Sequence, residues 1–227
     1  MKIVHVDIAR QIDFSVSPNF MLVIENSQEF YRLTQQLFNQ VNGEDGDFVL
    51  SENDILNISN HCLFIYDYFG DILNNKKTTN TINNKIVAIL RENDFIEDFA
   101  KLNTLILQIN EKIIEKLDYN IKTSSSVEYE NFVKLIQFKP MKSQLLVEDI
   151  ITYITLNLTK NIDVVIFVSL SSVLSENQIN TLLKDINYMQ LNVLLIEPFR
   201  KYKLDNCETI IIDEDLCVIW HTKQKNI

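Results

Sequence analysis

The chain has 227 residues, 46% apolar and 23% charged, which supplies enough apolar surface for a core and excludes wholesale disorder. Its formal net charge of −10 opposes indiscriminate adhesion to nucleic acid or anionic membrane, although a local basic surface or a bound cation overrides a mean charge. Glycine and proline number three each, which argues against an all-β sandwich with its closely spaced turns and favours long regular elements.

The first residues alternate, with Ile3, Val4 and Val6 followed by Ile8, Ile12, Phe14 and Val16, and predict two short strands joined by a turn. "FMLVIE" (20–25) is a continuous apolar run of strand length and predicts a strand covered on both faces. A helix follows, with Asn26 placed to cap it and Phe30, Leu33, Leu37 and Val41 at helical spacing. "NGEDGDF" (42–48) is a glycine-containing loop, and "CLFIYDYF" after it fits either a buried strand or a helical turn-pair. From Asn74 onward the pattern is helical. Ile82, Ile86, Ile89 and Leu90 share one face, and the residues from Phe95 through Phe99, Leu102, Leu105, Ile109 and Ile113 to Leu117 sustain another. Such stripes predict a long antiparallel helical hairpin. A further helix is expected to begin near Ser125, with Glu128 completing a capping box, and to end at Pro140.

The last third reads as α/β. "LLVEDIITYITLNL" is a helix and "DVVIFVSL" a buried strand. A helix opened by Ser175 and Gln178 follows, then the strand "NVLLIE", and a right-handed parallel crossover is implied. "TIIID" and "LCVIW" flank Asp213-Glu214-Asp215 and predict an edge hairpin. The expected fold class is therefore α/β. A mixed-sheet head with a parallel crossover is built from residues 1–60 and 139–227, and an α-helical leg is inserted over 61–138.

Little in this pattern is catalytic. The Glu25-Asn26-Ser27-Gln28 junction sits where a phosphate-binding loop would lie, yet it has no glycine whose amide could crowd a phosphate, which excludes a standard P-loop. His5, His61 and His221 are isolated from other metal-ligating types. Cys62, Cys207 and Cys217, odd in number and set in apolar stretches, read as reduced core residues of a cytoplasmic protein. Neither a secretory h-region nor a membrane-spanning apolar run is present. Glu115, Asp118, Glu128 and Glu130 bracket a serine-rich loop and read either as solvated loop charges or as oxygen ligands for a hard cation. Lys76, Lys77 and Lys85, then Lys134, Lys139 and Lys142, then Arg200, Lys201 and Lys203 form three basic groups. Each is a solubilising face or a set of phosphate contacts, with nothing pointing to base-specific readout.

Several stretches together resemble one family. "VVIFVSLSSVLSENQINTLLKDINYMQLNVLLIEPFRKYKLDNCETIIIDEDLCVIW" is similar to the C-terminal part of the small accessory protein of type II-A CRISPR adaptation modules. "FMLVIENSQEFYRLTQQLF" resembles that family's early strand and helix, and "TTNTINNKIVAILREND" the start of its helical arm. The resemblance implies a non-catalytic protein with an α/β head and a helical leg, the head distantly similar to nucleotide-binding proteins without their phosphate loop. It further implies a calcium-binding homotetrameric ring that holds double-stranded DNA ends without regard to sequence and works beside the other adaptation and effector proteins. On that reading Lys76, Lys77, Lys85, Lys134 and Lys139 contact phosphates, and Asp118, Glu128, Glu130 and Glu115 are the candidate calcium ligands. The resemblance implies a denser acidic run where this chain reads "LDYNIKTSSSVEYENF", with Asn120 beside the candidate ligands. The alternatives are a metal-dependent nuclease or nucleotide hydrolase using Asp163, Glu197 and Asp213, and a protein-only scaffold.

Overall fold

The computed structural model describes residues 1–92, 95–117, 119, 121–122, 126–158 and 161–221, without the side chains of Lys77, Trp220 and His221. The chain divides into two compact units, one of Met1–Ile72 and Leu145–Ile227, the other of Leu73–Gln144.

In the α/β unit, β1 (Lys2–His5) and β2 (Ile8–Asp13) pair antiparallel. β3 (Asn19–Ile24), α1 (Ser27–Val41), β4 (Val49–Ser51), β5 (Ile55–Leu56), a short helix α2 (Ile58–His61) and β6 (Cys62–Ile65) follow. The second half of this unit supplies α6 (Leu146–Asn157), β7 (Val164–Val168), α7 (Glu176–Tyr188), β8 (Asn192–Glu197), β9 (Glu208–Ile212) and β10 (Val218–His221). Between them run the helices of the other unit, α3 (Lys76–Arg91), α4 (Ile96–Ile114) and α5 (Tyr129–Ile136).

The main sheet has the order β10-β9-β3-β8-β7-β6, parallel except for β10. A small antiparallel sheet, β2-β1-β4-β5, accompanies it. All six residues of β3 are buried, because both faces of the central strand are covered. Met21 and Val23 join Val165, Phe167, Val193 and Leu195 in a cluster that includes Ile150 and Ile154 of α6 and Leu182, Leu183 and Ile186 of α7. Phe20, Leu22 and Ile24 point the other way, toward Leu33 and Leu37 of α1 and Ile3, Ile12 and Leu50 of the small sheet. The period of two along each strand thus feeds two cores at once.

Local chemistry sets the helix starts. Asn26 Oδ1 accepts from the amides of Gln28 and Glu29 at 3.1 Å each and opens α1. Ser175 and Gln178 form the capping box of α7. "CLFI" resolves as strand β6, paired parallel with β7. The helical insertion therefore begins after Ile72 and ends at Gln144, not at the expected 61 and 138. Its third helix starts at Tyr129, not near Ser125: Glu128 holds the N-cap position without a side-chain cap bond, and Ser125 lies outside the described residues. α3 packs chiefly on α5, so the expected simple hairpin of two long helices gives way to a three-helix arrangement around Leu90, Phe99 and Val133. Among the cysteines Cys62 is buried, but Cys217 is exposed, because it sits in the turn between β9 and β10 and not in a strand interior.

Candidate nucleic-acid interface

The cationic site is built on α3 and α5. Asn75 caps α3, its Oδ1 accepting from the Thr78 amide at 2.9 Å, and this fixes Thr79 and Asn83 one helical turn apart on one face. α5 ends at Gln137, whose backbone turns left-handed (φ 56°, ψ 57°) while its N–H donates to the Val133 carbonyl at 3.1 Å. That turn is an αL C-cap made without glycine. It brings Phe138 and Lys139 back beside Lys134. The result is a cleft of about 210 Å³ with Thr79 and Asn83 on one wall and Lys134, Gln137 and Lys139 on the other. Buried Val133 lies beneath.

Among the described residues no carboxylate lines this cleft. The nearest acid on the same helix, Glu130, is held in an ion pair with the Arg91 guanidinium of α3. Its own backbone amide, with Arg91 and Lys134 nearby, holds its carboxyl below the ordinary glutamate value.

Of the sequence-nominated cations, the structure brings Lys134 and Lys139 together here. Lys76, at the first position of α3, and Lys85, two residues beyond Asn83, are exposed on the same helix but do not line the cleft. The side chain of Lys77 lies outside the description. Thr79, Asn83 and Gln137 were not singled out in the sequence. The only signal there is the i, i+4 spacing of Thr79 and Asn83, and nothing in "LIQFKP" announces a left-handed glutamine.

The acidic group does not assemble in the same way. Glu115 follows the last turn of α4, exposed, and Glu128 is an exposed N-cap. Glu130 is engaged by Arg91, and Asp118 lies outside the described residues. Among the described residues no three His, Cys, Asp or Glu side chains converge as a metal site. Glu115, Glu128 and Glu130 alone therefore do not make a calcium site, since a hard cation needs several oxygens at once.

The carboxylates of the hydrolase alternative are also dispersed. Asp163 precedes β7 at the amino edge of the parallel sheet, where it meets His61 Nδ1 at 2.6 Å. Glu197 ends β8 at the opposite, carboxyl edge. There it accepts from the Ser171 hydroxyl at 2.6 Å and the Ser171 amide at 3.0 Å, and burial pushes its carboxyl above the ordinary glutamate value against the pull of those bonds. Asp213 closes its own turn, accepting from the amides of Asp215 and Cys217. The basic group near residue 200 is partly structural as well, because Lys201 Nζ donates to the Ser171 carbonyl at 2.9 Å.

At the β3–α1 junction, the amides that a phosphate would need are already taken by Asn26. A mainly parallel α/β unit with a self-capped, glycine-free β3–α1 junction and an inserted helical unit bearing a cationic cleft defines a class: a mixed α/β protein with a helical insertion and no phosphate loop at that junction. A family model described as CRISPR-associated protein (Cas_Csn2) matches residues 40–216, and the chain belongs to that family, the Csn2 proteins of type II-A CRISPR systems. No curated protein matches the chain. No helix among the described residues is long and apolar enough to cross a membrane.

Proposed function

We propose that this CRISPR-associated protein is a non-catalytic, sequence-independent binder of double-stranded DNA ends, acting as a homotetrameric ring in the acquisition of new spacers. The observation that carries the reading is the cleft of the helical unit, in which Lys134 and Lys139 face Thr79 and Asn83 with no carboxylate among the described lining residues and with Glu130 paired to Arg91. Lysines in such a setting bind phosphates, which every DNA sequence presents alike. A ring also reconciles the net charge of −10 with a polyanionic ligand, because symmetry multiplies a small basic patch on one wall while the outer surface stays acidic.

Support for assembly comes from α4, whose Leu105, Ile109 and Ile113 are 53%, 47% and 48% exposed along one face. Support for a non-catalytic role comes from the engagements of the candidate carboxylates: Asp163 meets His61 at the amino edge, while Glu197 and Asp213, both at the carboxyl edge, accept from Ser171 and from the amides of the β9–β10 turn. Calcium belongs to the proposal as a measurable requirement and not as an assigned site. The other proteins of the type II-A system are the natural partners.

The test compares linear with covalently closed circular duplex of one sequence, with calcium or with chelator, while the mass of the protein is recorded. The expected result is salt-sensitive, calcium-dependent binding of the linear form by a tetramer, with circles refused. Equal binding of both forms, or binding of neither, overturns threading over free ends.

A further inference from the structure

Asn83 Oδ1 is buried in the cleft wall and has no hydrogen-bond partner among the described residues. A buried acceptor left without a donor is costly, and among the several buried side-chain oxygens in that condition Asn83 Oδ1 is the one in a cleft lined by two lysines. The groups around it narrow the chemistry of a ligand. Lys134 and Lys139 call for an anion, and among the described residues no acid lines the cleft to oppose it. Asn83 Oδ1 calls for an O–H or N–H donor on that same anion.

An internal phosphodiester meets only the first demand, since it carries one negative charge and no proton to donate. A phosphate monoester meets both. Its second pKa is about 6, so a singly protonated form with one negative charge and one P–O–H is populated near neutral pH. Thr79 adds a hydroxyl that donates to a further phosphate oxygen. We propose that this cleft seats the terminal phosphate monoester of a DNA end, a group that the interior of the duplex does not possess. The inference rests on the DNA-end reading above and deepens it: the end is distinguished by its phosphate and not only by its accessibility to a ring.

The experiment measures binding of one linear duplex prepared with 5′-phosphate or with 5′-hydroxyl termini. The unmodified protein is expected to hold the phosphorylated form about tenfold more tightly, the scale of one charge-assisted contact. Lys139→Ala, an exposed position whose change does not threaten folding, is expected to shrink that ratio. Asn83→Leu is expected to bring it close to unity while 5′-hydroxyl duplex is still bound. Equal affinity of the unmodified protein for the two duplexes overturns the phosphate seat and leaves the DNA-end reading standing. Binding of neither duplex overturns both. A ratio that persists in both variants places the discrimination elsewhere and overturns the assignment to this cleft.

Discussion

The α/β unit and the helical unit use their apolar residues differently. In the first, the strands β3, β7 and β8 alternate between two cores, and Val23, Val165, Phe167, Leu194 and Leu195 are fully buried. In the second, only Leu90, Phe99 and Val133 form a buried cluster among the described residues, and most of the apolar stripe of α4 stays half exposed. Helical periodicity of equal quality therefore has two meanings. In α7, Ile179, Leu182, Leu183 and Ile186 face a sheet of the same chain. In α4 the stripe is a surface that its own unit leaves half exposed.

The sharpest test of this contrast deletes one large ring in each unit. Phe167→Ala removes a fully buried side chain from the middle of β7 and is expected to cost about 3–5 kcal/mol. Phe99→Ala removes a ring that stacks edge-on against Tyr129 and Phe132, with centroids at 4.4 and 5.1 Å, from the margin of a small cluster. It is expected to cost about 2 kcal/mol, because a site open to water collapses more readily. Hydrogen exchange read element by element distinguishes the two. Phe167→Ala should deprotect β3, β7 and β8, and Phe99→Ala should deprotect α4 and α5 while β3 is unchanged. Deprotection of β3 by Phe99→Ala would show that the two units unfold as one.

This division also explains what the sequence discloses. β3, β7 and β8 were legible because continuous apolar runs of strand length need two covered faces, and α1 and α7 because Asn26 and Ser175 supply real caps. β6 was ambiguous because "CLFI" has neither alternation nor a cap to separate strand from helix, and only its pairing with β7 decides. β4 and β5 left no signal, being three and two residues long and held by register with β1 and not by propensity. Lys134 and Lys139 were legible as charges. Their meeting with Asn83 was not, because it depends on a left-handed turn at a glutamine, a residue type that does not advertise one.

The next largest effect is expected at the carboxyl edge of β8. Glu197→Ala removes the acceptor of both Ser171 bonds and leaves that hydroxyl and amide buried without a partner, at a cost of about 1.5–3 kcal/mol. Glu197→Gln preserves an acceptor and isolates the charge. Because burial raises the folded carboxyl above the ordinary value of 4.5, the folded state holds its proton more tightly than the unfolded state. The contribution is present below 4.5 and is lost as pH rises through the higher folded value. Urea titrations across that window should show the unmodified protein losing stability relative to Glu197→Gln as pH rises. A constant difference would place the compensation in the Ser171 bonds and not in burial.

The smallest effect returns to the helical unit, at a turn that has its counterpart in the α/β unit. Gln137 and Ser169 both hold left-handed backbones, with φ of 56° and 54°. Ser169 is secured by its amide on the Ile196 carbonyl at 2.8 Å and by the Ser172 hydroxyl on its own carbonyl at 2.6 Å. Gln137 has the single αL-cap bond to Val133 and an exposed side chain. An L-residue in this region costs about 1–2 kcal/mol, part of which glycine forfeits through its greater freedom when unfolded. Gln137→Gly should therefore stabilise α5 by about 0.5–1 kcal/mol, read as slower exchange of its amides. Because the reversal that returns Lys139 to Lys134 is a backbone property, the substitution should leave duplex binding intact. A fall in binding with α5 better protected would mean that the Gln137 side chain itself touches the ligand, and that the cleft recognises its phosphate with one group more than the two lysines, Thr79 and Asn83.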